Sequence, residues 1–360
     1  MNDFLIRKAI ILTLIHISNR MHHYHQLCIL SFLILTACAT MKGGKKAKEL
    51  RIDYNSAAEI NYGYTLQVDF YAVYANGKDK KLTHKSDLKI EVTGATYSDG
   101  QLYIEGYPEQ FGRDVIDLRA TYSGKDDSLV KEISIPFNYR GPLKLIFTGD
   151  AGTDGKKGSK GGMEMVFRNG LNGGDGTDGA QGRDGHNLSV YIWKDESTQQ
   201  YKIRVNNLED QKSYYYNYLD SGAGITIDVS GGAGGTGGKG GDGGDGKDGR
   251  ITDKKTKEPG SGGNGGNGGN GGQGGNGGMV YLFIHPNAAE LQNRIAIYNF
   301  GGAGGAGGPA GDPGKAGKPL EGQEAKADGT TGLPGEPGPS GSQGNATTIS
   351  IEAFDPENNE

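Results

Sequence analysis

Two hydrophobic rhythms run along this chain, and they change over near residue 141. Between residues 51 and 140 apolar and polar residues alternate. Leu66, Val68 and Phe70 interleave with Gln67, Asp69 and Tyr71, the period-two signature of a half-buried strand. Ala75-Asn76-Gly77-Lys78 supplies a turn, and further strand patterns fall at 88–92, 101–105, 115–122 and 129–139. From residue 141 short apolar strands alternate with long tracts in which glycine returns every third position. PLKLIFTGD (142–150) leads into Gly149 to Gly161, MEMVFRN (163–169) turns the chain, Gly170 to Gly185 follow, and NLSVYIW (187–193) leaves. The unit recurs twice. GITIDVS (224–230) and MVYLFIH (279–285) flank tracts 231–249 and 260–278 with the tip 250–259. RIAIYNF (294–300) and ATTISIEAF (346–354) flank tracts 301–317 and 329–344 with the tip 318–328. Six tracts in three hairpins form an internal repeat.

The triplet has a direct backbone meaning. A helix with three residues per turn and a rise of about 3.1 Å has no internal hydrogen bonds, so its amides need partners on neighbouring chains. Glycine every third residue leaves one face bare and lets a neighbour approach. The GGX triplets of 231–249 and 260–278 leave two faces bare, which predicts that these tracts lie inside a bundle and that 170–185 and 329–344 lie outside. Collagen is the rival pattern, and 329–344 is collagen-like with Pro334, Pro337 and Pro339. Hairpins, however, return antiparallel, which a collagen triple helix does not. The tracts resemble polyglycine-II bundle proteins, among them springtail antifreeze proteins and the tip adhesins of phage tail fibres. That resemblance implies a flat, hydrogen-bonded slab with recognition at its turns. The six flanking strands are expected to form an antiparallel sheet or sandwich with Val190, Ile192, Ile225, Ile227, Val280, Leu282, Ile295, Ile297, Ile349 and Ile351 in its core.

The stretch YTLQVDFYAVYANGK (64–78), with VIDLRATYSG further on, is similar to bacterial immunoglobulin-like repeats, which implies a spacer or binding platform over 51–140. The expected fold is therefore mostly β: an immunoglobulin-like sandwich followed by a β-clamped polyglycine-II helix bundle over 141–360.

Upstream, residues 1–37 read as a signal peptide, with an apolar run LCILSFLILTA (27–37) too short to span a bilayer. Leu35-Thr36-Ala37-Cys38 resembles the lipobox of bacterial lipoproteins, which implies lipid attachment at Cys38 and a place in the cell envelope, on the outer membrane. An additional apolar stretch, 4–17, leaves Met1 and Met21 as alternative starts. Residues 38–50 read as a basic tether. Cys28 and Cys38 are the only cysteines, so everything downstream lacks disulfides and thiolate metal sites.

Composition sharpens these expectations. Glycine reaches 66 of 360 residues, far above the usual share of about 7%. A net charge of −5 offers no nucleic-acid footprint. His84, His186 and His285 are scattered, no nucleophile motif stands out, and Gly238-Lys239-Gly240 lacks the helix a phosphate loop needs. No enzyme and no cofactor are expected. The partners left open are the membrane through the anchor, a surface glycan, or another envelope protein. Three ligand sets are candidates: Tyr214, Tyr215, Tyr216 and Tyr218 as a sugar-stacking platform; Asn264, Asn267 and Asn270 as an amide ladder for glycan hydroxyls; and Asp242, Asp245 and Asp248 as weak Ca²⁺ candidates. Each has a structural alternative, respectively the cover of a sheet, bonding within the slab, and a solvated acidic face. The functional expectation is a non-catalytic scaffold, structural or adhesive, with a glycan- or Ca²⁺-binding accessory lipoprotein as the alternative.

Overall fold

A computed structural model describes residues 46–124, 128–165, 168–252 and 255–356. The targeting segment and Cys38 lie outside them. The chain is mostly β.

The alternating region forms two antiparallel sheets. In one, β1 (Ala47–Tyr54), β2 (Thr65–Tyr74), β6 (Gln101–Ile104) and β5 (Ala95–Ser98) lie in that order, with the short β3 (Asp79–Lys81) also paired to β2. The other is β4 (Leu88–Thr93), β7 (Val115–Ser123) and β8 (Ser128–Pro136). Their facing residues share one core, including Leu50, Val68, Phe70, Leu102, Leu118 and Ile135. β1 starts at Ala47, inside the stretch expected to be tether, because Leu50 belongs to that core.

The strands around the tracts form two further sheets. β9 (Leu143–Ile146), β13 (Ile225–Asp228) and β17 (Ile295–Tyr298) pair in parallel. β10 (Leu188–Lys194), β16 (Val280–Ile284) and β18 (Thr348–Ile351) also pair in parallel, and β11 (Tyr201–Asn207) and β12 (Lys212–Tyr218) extend that sheet as an antiparallel hairpin. The antiparallel pairing expected of the six flanking strands is thus corrected. Every excursion leaves in one layer and returns in the other, so the three flanking strands within each layer point the same way. Leu145, Val190, Ile192, Ile227, Val280 and Leu282 fill the space between the sheets. Ile295 and Ile297 pack at its margin, and Ile349 and Ile351, on the edge strand, stay 46% exposed. A 3-10 helix, Pro286–Arg294, links β16 to β17 and buries Ala288 and Leu291.

The tracts continue this two-layer order. Tracts 149–161, 231–249 and 301–317 form one row and tracts 170–185, 260–278 and 329–344 the other. Within a row, Gly155 N–H donates to Thr236 O at 2.7 Å, Gly237 to Ala306 O at 2.8 Å, Gly176 to Asn267 O at 2.8 Å and Gly268 to Leu333 O at 2.8 Å. Between rows, Gly238 donates to Thr177 O at 2.9 Å, Gly269 to Gly238 O at 2.9 Å and Gly335 to Gly308 O at 2.8 Å, and these bonds repeat every third residue. Tracts 231–249 and 260–278 bond to each other and to tracts on both sides in both rows, and they are the two in which GGX triplets run longest. A Cβ on Gly238 would sit 2.1 Å from Lys156 O, and one on Gly237 2.0 Å from Gly269 O. Both faces of this tract are closed to any side chain. The outermost tracts, 149–161 and 329–344, manage with one glycine per triplet.

The two-sheet unit is tied to the second pair of sheets by polar and aromatic contacts. The Tyr62 and Tyr139 hydroxyls both donate to the Asp114 carboxylate. Asn217 Nδ2 donates to the same carboxylate at 3.2 Å and its backbone N–H to the Tyr62 hydroxyl at 3.3 Å. Tyr62 meets Tyr216 edge-on at 5.2 Å, and Tyr107 meets Tyr214 at 5.5 Å.

Candidate functional site

The three tips emerge together at the end of the tracts away from the sheets. The first carries Met165, 90% exposed, and the second is the hairpin β14 (Arg250–Thr252) and β15 (Lys255–Lys257), with Ile251 76% exposed and Lys255 and Lys257 in solvent. The tips are stapled to each other and to the tracts. Arg168 donates through Nη2 to the Asp248 carbonyl, and Gln323 Nε2 donates to Lys257 O at 3.0 Å. The Gln323 side-chain oxygen accepts the Leu320 N–H at 3.0 Å. Val166 and Phe167 of the first tip and Lys254 of the second lie outside the described residues.

The amide ladder is bound into the slab. Asn264, Asn267 and Asn270 each accept a backbone N–H of the outer tract at 2.9 Å, from Thr330, Leu333 and Glu336. Their own N–H groups donate in turn to Asn172 at 2.9 Å, Asp175 at 2.7 Å and Asp178 at 2.6 Å. These rows explain the residue choices. Some X residues donate their N–H to a carbonyl of the next tract, as Thr177 does to Lys156 O at 3.0 Å, while the N–H groups of Thr330, Leu333 and Glu336 are met by a short Asn one tract over. In the row of Gln181 and Gln273 the facing residue is Pro339, which has no N–H to donate. The acidic ladder does the same work: Asp245 and Asp248 accept Lys315 and Lys318 N–H at 2.7 Å. Asp242 accepts the Asp312 N–H at 3.3 Å and pairs with Lys239 at 3.2 Å, two interactions that hold its carboxyl below the usual range. Among the described residues no group of three or more His, Cys, Asp or Glu side chains is arranged to hold a metal ion.

The tyrosine set divides between two faces. Tyr214, Tyr216 and Tyr218 alternate inward from β12 and are buried at 8%, 0% and 0% exposure, out of reach of a sugar. Burial pushes the Tyr216 hydroxyl's pKa up. Tyr215 points the other way and joins a surface that the sequence reading missed. Across the outer face of this sheet the register aligns Tyr215, Arg204, Tyr191 and Phe283. Tyr191 and Phe283 stack at 4.8 Å, and the Arg204 guanidinium lies 4.7 Å from the Tyr191 ring centre. Two residue pairs further along β10 and β11, and so on the same face, Trp193 stands beside Lys202. Phe111, from the two-sheet unit, touches Trp193 at 5.7 Å and Tyr215 at 5.0 Å, while Phe354, past β18, touches Trp193 at 6.2 Å. The signal was present in NLSVYIW: if Val190 and Ile192 face the core, Tyr191 and Trp193 face outward. What was invisible was the β11–β12 hairpin that sets Arg204 and Lys202 beside them.

A concavity of about 430 Å³ lies elsewhere, where the first tracts meet the sheets, lined by Asp150, Arg183, His186 and Glu209. Arg183 lies 3.8 Å from Asp150 there, and His186 Nδ1 lies 3.8 Å from the Glu209 carboxylate.

The fold and these surfaces define a mostly-β protein with a glycine-tract region bonded through its backbone. No protein-family model matches the chain, and no curated protein matches it.

Proposed function

We propose that this protein is a non-catalytic cell-envelope lipoprotein, anchored through a lipid on Cys38, that acts as a structural or adhesive scaffold. Residues 51–140 are its immunoglobulin-like spacer and the six tracts its polyglycine-II bundle, held on the outer membrane with the tips outward. The observation that carries this reading is the threefold repeat of backbone bonds, such as Gly269 N–H to Gly238 O and Gly266 N–H to Gly241 O at 2.8 Å. Interior glycines satisfy one another's amides, as a three-residue helix without internal bonds demands. Such a body resists bending because every tract is cross-linked along its length. The tips it carries, with exposed Met165, Ile251, Lys255 and Lys257, are the parts free to meet a partner.

Two measurements test it. Cys38→Ala is expected to abolish fatty-acid labelling and to release the protein from the membrane fraction; labelling that persists in the variant removes the anchor. Amide hydrogen exchange on the intact chain is expected to find the glycines of 231–249 and 260–278 as protected as the core strands, and exchange at free-peptide rates would remove the bundle. The glycan-binding alternative is favoured by one observation, the outward aromatic face around Trp193.

A further inference from the structure

Two arginines in the described residues are buried with guanidinium nitrogens that lack hydrogen-bond partners, Arg168 and Arg204, each 8% exposed. Arg168 has a structural occupation, since its Nη2 bonds the Asp248 carbonyl and ties the first tip to a tract. Arg204 is different. Both its Nε and its Nη2 are buried without a partner, and its recorded neighbour is the Tyr191 ring. A cation withdrawn from water and left without an acceptor is unfavourable, and an aromatic face compensates only in part. Nε and Nη2 together form one edge of the planar fork, the edge that matches the two oxygens of a carboxylate.

The surroundings specify more than an anion. Lys202, on the same face of β11, lies 4.9 Å over the Phe111 ring and donates through Nζ to Asn217 Oδ1 at 2.5 Å, which adds a second cation to this face. Trp193 stands between Phe111 and Phe354, with centroids at 5.7 and 6.2 Å. Half-buried aromatic rings beside a charged fork suit a ligand with a flat apolar side and an acidic group, because rings with one apolar and one wet side favour amphipathic partners.

We propose that this face binds a saccharide that carries a carboxylate. The carboxylate takes the Nε–Nη2 edge of Arg204 in a two-point contact, and the sugar ring lies against Trp193 between Phe111 and Phe354. Both nitrogens are closed off from water, so the carboxylate reaches them by displacing a neighbouring ring. This site goes beyond the scaffold reading and stands independently of the lipid anchor and of the tips.

Trp193 is the one tryptophan of the chain, which makes its fluorescence a local reporter. The full chain is titrated with a trimer of galacturonic acid, with the neutral galactose trimer and with acetate. A saturable change in emission is expected with the acid trimer alone. Arg204→Gln is expected to weaken it by about tenfold or more, and Arg204→Lys to rescue it poorly, because a point charge does not reproduce the fork. Lys202→Gln, a half-exposed position, is expected to weaken it by about threefold through lost charge. Absence of a saturable response up to about 5 mM overturns the proposal. So does an equal response to the neutral trimer or to acetate, or unchanged affinity in an Arg204→Gln protein that melts like the parent. If Arg204→Gln does not fold, the acid-against-neutral comparison on the unaltered chain and the Lys202→Gln titration still decide the matter.

Discussion

The two-sheet unit and the tract region hold themselves together by opposite means. Between β2 and β7 the filling is side chain: Val68, Phe70, Ile116 and Ala120 are 0% exposed, and removing their apolar surface from water is the driving force. Between tracts 231–249 and 260–278 the contacts are backbone to backbone, as in Gly272 N–H to Gly235 O at 2.8 Å. A side-chain core repacks around changes in shape, so it tolerates substitution of similar volume. A backbone lattice has no such freedom, because moving one carbonyl moves a whole tract. It also starts from a heavier debt, since ordering glycine costs more conformational entropy than ordering any other residue. The flanking sheets offset part of that cost by fixing both ends of every excursion.

The sharpest way to break this contrast is a single methyl group. Gly238→Ala places a Cβ 2.1 Å from Lys156 O, and a loss of more than about 4 kcal/mol is expected by chemical denaturation, in the range reserved for named steric failures. Gly162→Ala, whose new Cβ has only a Leu171 methyl at 4.0 Å, is expected to stay within about 0.5 kcal/mol. Leu118→Ala in the two-sheet core should fall between them, at about 2–5 kcal/mol. If the two glycine variants behave alike, the tracts are not a lattice.

The joint between the regions has its own signature in alkaline solution. Burial, assisted by the Asp114 carboxylate, raises the pKa of Tyr62 and Tyr139 above the ordinary 10.0. A tyrosine whose folded pKa is raised contributes stability that is fully present below pH 10 and declines as pH climbs toward the folded value. The melting temperature should therefore hold level up to about pH 10 and then fall, with part of the tyrosinate absorbance appearing only as the protein unfolds. Tyr62→Phe should lower stability by about 1–3 kcal/mol and blunt that fall.

The smallest expected effects separate the rows of the slab. Asn270 accepts the Glu336 N–H at 2.9 Å, and Asn270→Ala should cost about 0.5–1.5 kcal/mol. Gln273→Ala, in the row of Pro339, should be neutral within about 0.5 kcal/mol. Equal losses at both positions, followed by thermal melts, would mean that the amide ladder is not what satisfies the outer N–H groups.

Much of this architecture was legible in the residues. Alternation located β2, β4, β6, β7 and β8 to within a few positions, since a strand with one wet face must alternate. The doubled glycines of 231–249 and 260–278 marked the tracts surrounded on most sides. The β11–β12 hairpin escaped because its outward residues, Lys202, Arg204 and Tyr215, mix charge with ring and blur the polar half of the pattern. The tyrosine run of 214–218 was legible as a cluster but not as two faces of one strand.

Sequence alone therefore determined which local shapes the chain can take, because period two and period three are backbone geometries written in side-chain spacing. Only the tertiary structure decided which of those shapes lie together. Parallel order within each layer, the meeting of Tyr62, Asp114, Tyr139 and Asn217, and the burial of Arg204 beside Tyr191 join segments far apart in the chain. Such partners are chosen by the free energy of the whole assembly, in which each N–H and each ring competes for every possible neighbour at once.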